Sequence, residues 1–240
     1  MTSNPKKQRR FGFGPARVAL LLILPATGLI VLAGARERAE ERSEPSPSAK
    51  DGMKGPPAAS ARLPSLAEIL AHPDRIPTHN HPLVGRPAPK FSLEDTNDEL
   101  WNLQRLQAGG PLVLIFYHGY LCQNCVRQLF EINRDLTIFN ELNARVAAIS
   151  SDPSARTRQR FEQYGRFGFP VLSDPENEVR QAYRVLRQTD GGKHASYLRH
   201  GTFIIDRHGK VQWANVGDAP FRRNSALLYQ LAKIEGAVPR

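Results

Sequence analysis

The chain contains two cysteines, Cys122 and Cys125, separated by two residues. They follow the apolar run 112–117 and precede apolar residues at helical spacing, which predicts a strand that delivers both thiols to a helix start. Free N–H groups and the positive end of the helix dipole favour a thiolate there, and the spacing allows the two sulfurs to bond across the first turn. The pattern predicts thiol redox chemistry.

Two other interpretations of the pair are weaker. A purely structural disulfide would close a very short loop and would therefore stabilise the fold little. Half of a zinc site would need a second cysteine pair, which this chain lacks, and its histidines are not at zinc-finger spacing. We therefore predict no metal site and no cofactor.

The elements that must position the cysteines alternate between strand and helix along residues 82–240. The predicted strands are 91–93, 100–103, 111–117, 145–150, 169–172, 202–205 and 211–214. The predicted helices are 122–142, 152–164 (with Asp152 as N-cap), 175–183 and 224–234. This order predicts an α/β domain with a mixed central sheet and helices on both faces.

The N-terminal part reads as a targeting region. Residues 1–17 form a basic leader, and the uncharged apolar run 18–35 would span about 27 Å as a helix. A basic flank before such a run predicts a cytoplasmic N-terminus and an exported remainder. We favour a retained transmembrane anchor; the alternative is a signal cleaved near Ala35.

Residues 36–62 are rich in charged residues, Pro, Ser and Ala, which predicts a disordered linker. Residues 63–81 are predicted to form a short helix, from Ser65 to Ala71, and a loop before the domain at 82–240.

The net charge of +10 is concentrated in the leader and linker. Residues 1–62 hold 11 Lys/Arg and 5 Asp/Glu, whereas the remainder holds 22 and 18. The domain has no concentrated basic stripe, and nucleic acid is not predicted as a partner.

Three segments resemble the peroxiredoxin-like branch (alkyl hydroperoxide reductase/thiol-specific antioxidant) of the thioredoxin-like redoxins. They read VGRPAPKFSL at 84–93, VLIFYHGYLCQNC at 113–125 and HGTFIIDRHGKV at 200–211. The likeness covers residues 82–235 and implies a thioredoxin-like fold. It also implies hydroperoxides or protein thiols and disulfides as substrates, with a redox partner that donates electrons.

The resemblance leaves the attacking cysteine open. In the peroxiredoxin motif Pro-x-x-x-Thr-x-x-Cys, Cys125 matches the peroxidatic cysteine, while His118 and Cys122 replace the Pro and the hydroxyl residue. In thioredoxins the first cysteine attacks, which is Cys122 here. The thioredoxin cis-proline position is occupied by His200.

Four residues around the cysteines are candidates for tuning or access. The His200 position often carries Arg in peroxiredoxins, so we hypothesise that His200 or Arg199 supplies a cation that lowers the thiol pKa. Tyr117 and His118 flank the cysteine turn and are expected to shape substrate access.

We predict an extracytoplasmic thiol-disulfide oxidoreductase that cycles Cys122–Cys125, with Cys122 attacking. The first alternative is a thiol peroxidase in which Cys125 is peroxidatic. The second is a copper chaperone of the SCO type, using both cysteines with His200 or His194. Its motif, Cys-x-x-x-Cys, is one residue longer than this pair.

Overall fold

The computed structural model describes residues 62–187 and 197–238. Outside these ranges lie the predicted leader 1–17, the apolar segment 18–35, residues 36–61 of the predicted linker, and His194. Within the described ranges, no helix combines the length and apolar character needed to cross a membrane.

The elements of the described ranges largely follow the predicted alternation. In chain order they are α1 (Leu66–Ala71), β1 (Ser92–Glu94), β2 (Leu100–Asn102), α2 (Leu103–Leu106), β3 (Leu112–Phe116), α3 (Gln123–Arg134), α4 (Leu136–Glu141), β4 (Arg145–Ser150), α5 (Ser154–Tyr164), β5 (Val171–Ser173), α6 (Glu178–Ala182), β6 (Leu186–Arg187), β7 (Tyr197–Leu198), β8 (His200–Ile205), β9 (Val211–Gly217) and α7 (Asn224–Ile234).

The central sheet has five strands in the order β5-β4-β3-β8-β9. Strands β3, β4 and β5 are parallel to one another and are joined by helices. Strand β8 runs antiparallel to β3 and also to β9, with which it forms a hairpin. The predicted mixed sheet is therefore confirmed. β3 lies at its centre, so the residues that follow β3 emerge at the middle of one sheet edge.

The sheet is buried on both faces. Along β3, Val113 and Ile115 pack into one apolar cluster with α3 and α7, while Leu114 and Phe116 pack into the other with α2 and α6. This alternation follows from the pleat of a strand. Each such side chain contributes about 1.5–3 kcal/mol of burial free energy, so the strand that precedes the cysteines is firmly fixed.

The predicted helix 122–142 is two helices, because the chain leaves helical geometry at Asp135 (ψ 6°). The Asp135 carboxylate accepts hydrogen bonds from the Arg134 guanidinium and from Asn224 Nδ2, the latter at 2.7 Å. The Asp135 side chain therefore bonds to Arg134, its neighbour in the chain, and to the first residue of α7. Apolar spacing alone carries no sign of this break.

The segment before the domain is also ordered. Helix α1 confirms the short predicted helix, and Ser65 and Glu68 form its capping box. Further along, Thr78 and His79 lie beside β9: His79 N–H donates to Ala214 O at 2.8 Å, and Ala214 N–H donates to Thr78 Oγ1 at 2.9 Å. Residues 78–79 therefore run along the outer side of β9.

Candidate active site

The two cysteines lie at the start of α3 and form a disulfide. Cys122 is the N-cap, and its Sγ accepts the Cys125 N–H at 3.3 Å. Cys122 is half-buried, whereas Cys125 is fully buried. The predicted strand-to-helix junction is confirmed, and the first sulfur of the pair is the one nearer to solvent.

Two histidines lie against the sulfurs. His200, the first residue of β8, places its Nε2 at 2.8 Å from Cys125 Sγ and 3.9 Å from Cys122 Sγ. The ring of His118, which follows β3, stacks on His200 with 3.9 Å between the centroids. His118 and His200 are 82 positions apart in the sequence. The fold brings them together because β3 and β8 are neighbours in the sheet.

Both rings are kept neutral by their surroundings. Burial, with the neighbouring His118 as a second cause, lowers the pKa of His200 to about 4. Burial likewise lowers the pKa of His118, and the charge of Arg180 adds to the effect. With the disulfide closed, His200 therefore meets the sulfurs at neutral pH as a neutral base that can accept a proton. Its predicted role in lowering the thiol pKa stays a prediction.

Arg180 is a site residue that the sequence analysis missed. This fully buried side chain, from α6, donates to Tyr117 O at 2.6 Å and to Arg199 O at 2.8 Å. Those carbonyls belong to the residues immediately before His118 and His200. Burial lowers the pKa of Arg180 to about 10, which leaves it a cation at neutral pH. Arg180 thereby joins the two chain segments that carry the stacked histidines.

Asp152 is a second missed residue. It was predicted to be the N-cap of α5. In the structure the N-cap is Pro153, which makes no side-chain capping hydrogen bond. The Asp152 carboxylate accepts the Tyr120 N–H at 2.8 Å and so fastens the turn that leads to Cys122. Gly119 makes room for it, since its φ is +103° and a Cβ there would lie 2.4 Å from Asp152 Oδ2.

The other two candidates contribute mainly through their backbones. The Tyr117 side chain is fully buried in the core and packs edge-on against Tyr120. The Arg199 guanidinium donates to Val216 O at 3.1 Å and lies 3.7 Å from Asp218. Each supplies a carbonyl to Arg180. Their predicted roles in access and in thiolate tuning stay predictions.

No sequence pattern distinguished Arg180 or Asp152. Asp152 precedes a proline at a helix start, which is the ordinary signature of an N-cap. Arg180 occupies one position of a short polar helix. A buried cation inside such a helix is identified only once the sheet places Tyr117 and Arg199 on either side of it.

Comparison with known proteins identifies the family of this chain. Residues 84–214, more than half of the chain, match the AhpC/TSA family. Alkyl hydroperoxide reductase E of Mycobacterium tuberculosis is 31% identical over 135 residues, which cover 55% of this chain and 84% of that protein. Chloroplastic peroxiredoxin Q of Oryza sativa subsp. japonica is 28% identical over 129 residues, which cover 54% of this chain and 57% of that protein.

Solved structures share the fold. Peroxidoxin BcpB from Mycobacterium tuberculosis superposes with a TM-score of 0.56 at 23% identity, over 68% of this chain and all of that one. Xanthomonas campestris peroxiredoxin Q superposes with a TM-score of 0.54 at 22% identity, over 60% of this chain and 91% of that one. At these identities the likeness supports the fold, and it confirms the predicted thioredoxin-like architecture.

The site and fold define a redoxin of the peroxiredoxin-like class. The chain belongs to the AhpC/TSA family. The predicted resemblance is thereby confirmed, and so is the prediction of an enzyme of the thiol peroxidase or thiol-disulfide oxidoreductase type. The copper-chaperone alternative stays a prediction, and His194, one of its two candidate histidines, lies outside the described residues.

Proposed function

We propose that this protein is a hydroperoxide-reducing dithiol enzyme in which Cys122 attacks and Cys125 resolves. One observation carries the assignment: Cys122 is partly exposed at the helix N-cap, while Cys125 is fully buried beneath it. A solute in water therefore reaches the Cys122 sulfur first. The family, and the alkyl hydroperoxide reductase among the relatives, support a hydroperoxide as the oxidant.

The neutral His200 supports a proton-transfer role. Its Nε2 lies within 4 Å of both sulfurs and can take the thiol proton of Cys122. The resulting thiolate attacks one peroxide oxygen and the O–O bond breaks. The departing alkoxide takes the proton from His200 and leaves as an alcohol.

The second half of the cycle uses Cys125. Cys122 is now a sulfenic acid, and the Cys125 sulfur attacks the Cys122 sulfur. The S–S bond forms and the hydroxyl leaves as water, taking up the Cys125 proton. An external dithiol protein then returns two electrons and two protons to the disulfide. That electron donor is the expected redox partner.

A second candidate substrate is a disulfide in another protein. Leu121, directly before Cys122, is 77% exposed. Such a residue is suited to contact a polypeptide. In this reaction Cys122 forms a mixed disulfide with the substrate, and Cys125 releases the reduced substrate.

Rapid mixing of the reduced protein with hydrogen peroxide, an organic hydroperoxide or a disulfide-containing peptide tests the proposal. We expect at least one hydroperoxide to oxidise the Cys122–Cys125 pair faster than it oxidises a free low-molecular-weight dithiol. If peroxides react no faster than that control and the peptide disulfide does, the protein-disulfide reaction is the function. If neither reacts faster, the proposed function is wrong.

We also propose that the domain works outside the cytoplasm. The basic residues 1–17 and the apolar run 18–35 support this, as they are typical of an exported or anchored protein. A periplasm-dependent reporter enzyme fused after residue 240 in a Gram-negative host is expected to be active. Replacing the leader cations by Glu should abolish that activity, and an inactive fusion with the native leader would contradict export.

A further inference from the structure

Four side chains of the site carry atoms that bind soft metal ions. The two sulfurs of Cys122 and Cys125 and one ring nitrogen each of His118 and His200 all lie within 4.8 Å of one another. They come from three parts of the chain: the turn after β3, the start of α3 and the start of β8. We propose that, once the disulfide is reduced, these four side chains bind one Zn²⁺ ion.

The observed spacing is close to that of a tetrahedral site. Zn–S bonds of about 2.3 Å and Zn–N bonds of about 2.0–2.1 Å place a ligand sulfur about 3.5 Å from a ligand nitrogen. His200 Nε2 lies 2.8 and 3.9 Å from the two sulfurs, which brackets that value. Two ligand nitrogens would be about 3.3 Å apart, and the four ligand atoms already lie within 4.8 Å of one another. The two rings, now stacked, must turn so that both ring planes point at the ion. The sulfurs must separate, and breaking their covalent bond allows this.

The donor set selects the ion. Two thiolates and two imidazoles, with no carboxylate among the four, match zinc and exclude the oxygen-preferring Ca²⁺ and Mg²⁺. Two thiolates also neutralise the charge of Zn²⁺, so the loaded site adds no net charge beside the buried cation Arg180.

The reaction balances without a further oxidant. An external dithiol gives the disulfide two electrons and two protons and is itself oxidised to a disulfide. Zn²⁺ then displaces one proton from each thiol, so two protons are released for each ion bound. A sulfur bound to zinc is withdrawn from attack on a peroxide. This consequence rests on the proposed function, whereas the binding itself does not.

The test uses the full chain, reduced under anaerobic conditions with a phosphine. Zn²⁺ is titrated against a chromophoric chelator, and Co²⁺ serves as a spectroscopic probe. We expect one ion per reduced chain, two protons released, and the visible bands of tetrahedral cobalt with sulfur-to-cobalt charge transfer. The oxidised chain should bind neither ion at this site.

Substitutions distinguish this site from simple chelation by a dithiol. Loss of an outer-shell partner alone costs metal sites 10–100-fold in affinity, so His118→Ala and His200→Ala, which remove ligands, should each weaken binding about 100-fold or more. His118→Gln and His200→Gln repeat the test with side chains of closer size. His208→Ala, an exposed histidine in the β8–β9 hairpin, is the matched control and should bind zinc normally.

Two results would overturn the proposal. One is the absence of stoichiometric zinc binding by a reduced chain that reforms its disulfide on reoxidation. The other is an affinity that none of the four histidine substitutions changes, since the two cysteines would then be sufficient. Neither readout depends on peroxide reduction, so failure of the proposed function leaves this test intact.

Discussion

The two ends of α3 carry buried polar clusters of opposite character. At the C-terminal end, the Asp135 carboxylate accepts hydrogen bonds from two Arg134 nitrogens, at 2.7 and 2.9 Å, and from Asn224 Nδ2. At the N-terminal end, the Cys122 sulfur accepts one N–H at 3.3 Å and lies beside the neutral His200. One cluster joins charges that satisfy each other. The other holds groups that can still take up a proton, an oxygen atom or an electron pair.

The comparison shows what separates a structural polar cluster from a reactive one in the same helix. Burial alone does not, because Asp135 and His200 are both nearly inaccessible, at 3% and 4% exposure. The hydrogen bonds that the key group accepts do, because the Asp135 carboxylate accepts from a cation and an amide, whereas the Cys122 sulfur accepts a backbone N–H. We therefore expect substitutions at the C-terminal end to change stability and those at the N-terminal end to change chemistry.

Cys122→Ser should have the largest effect. Removing the proposed nucleophile should lower the rate of hydroperoxide consumption about 1000-fold or more, as nucleophile deletions do in other enzymes. Cys125→Ser should still consume one equivalent of peroxide and then stop at a sulfenic acid, which a dimedone-type probe detects. The exposed neighbour substitution Gln123→Ala is the control. If Cys125→Ser abolishes the first step while Cys122→Ser retains it, the peroxiredoxin assignment of Cys125 is the correct one.

Asp135→Ala tests the other end of the helix. It removes the carboxylate that accepts hydrogen bonds from Arg134 and from the buried Asn224. The free energy of unfolding should therefore fall by about 3 kcal/mol, since a buried donor loses its charged acceptor. Denaturant titration measures this. The exposed pair partner Asp98, whose side chain is 68% exposed beside Arg158, provides the control, and Asp98→Ala should cost less than about 1 kcal/mol. A folded Asp135→Ala protein with greatly reduced turnover would contradict the division of roles.

His200 should make the stability of the oxidised protein depend on pH. Its pKa in the folded state is about 4, against 6.5 without the fold. The unfolded chain therefore binds this proton more readily, so the contribution is complete above pH 6.5 and is lost as pH falls towards 4. The loss should be on the order of 2 kcal/mol.

Comparison with His200→Gln isolates that contribution, because the carboxylates titrate in both proteins. Denaturant titrations at pH 7.5 and pH 4 should show a smaller decrease for the variant. Equal decreases would mean that His200 is not a buried neutral base. The exposed substitution His208→Gln should behave as the native protein does.

Arg180→Met tests how the two segments that carry the stacked histidines are joined. It removes two donors from the carbonyls of Tyr117 and Arg199, which should cost about 1–3 kcal/mol of stability. Loss of the nearby cation should also raise the pKa of His200, which an NMR titration of its ring measures. Arg180→Lys keeps the charge without the planar fork, so it should hold the His200 pKa low. An unchanged pKa in Arg180→Met would show that Arg180 acts on the backbone alone.

Local patterns predicted the redox pair and most of the elements. Cys122 and Cys125 lie three positions apart in sequence, and apolar spacing located β3, β4 and α7 closely. The contacts of His118 with His200, and of Arg180 with two carbonyls, depend on which strands are neighbours, and the sequence states no such pairing. The break at Asp135 was missed for the same reason, since Asn224, its partner, lies 89 positions away.

Strand β9 ends the sheet, and an end strand offers unpaired N–H and C=O groups to any passing chain. Here the protein's own residues take those positions: the Gly85 N–H and the Arg86 carbonyl bond to Val211, while the Thr78 hydroxyl and the His79 N–H bond to Ala214. A second molecule could add a strand to this side only by first peeling these residues away. The segment that leads into the domain thus also guards the protein against aggregation through this edge.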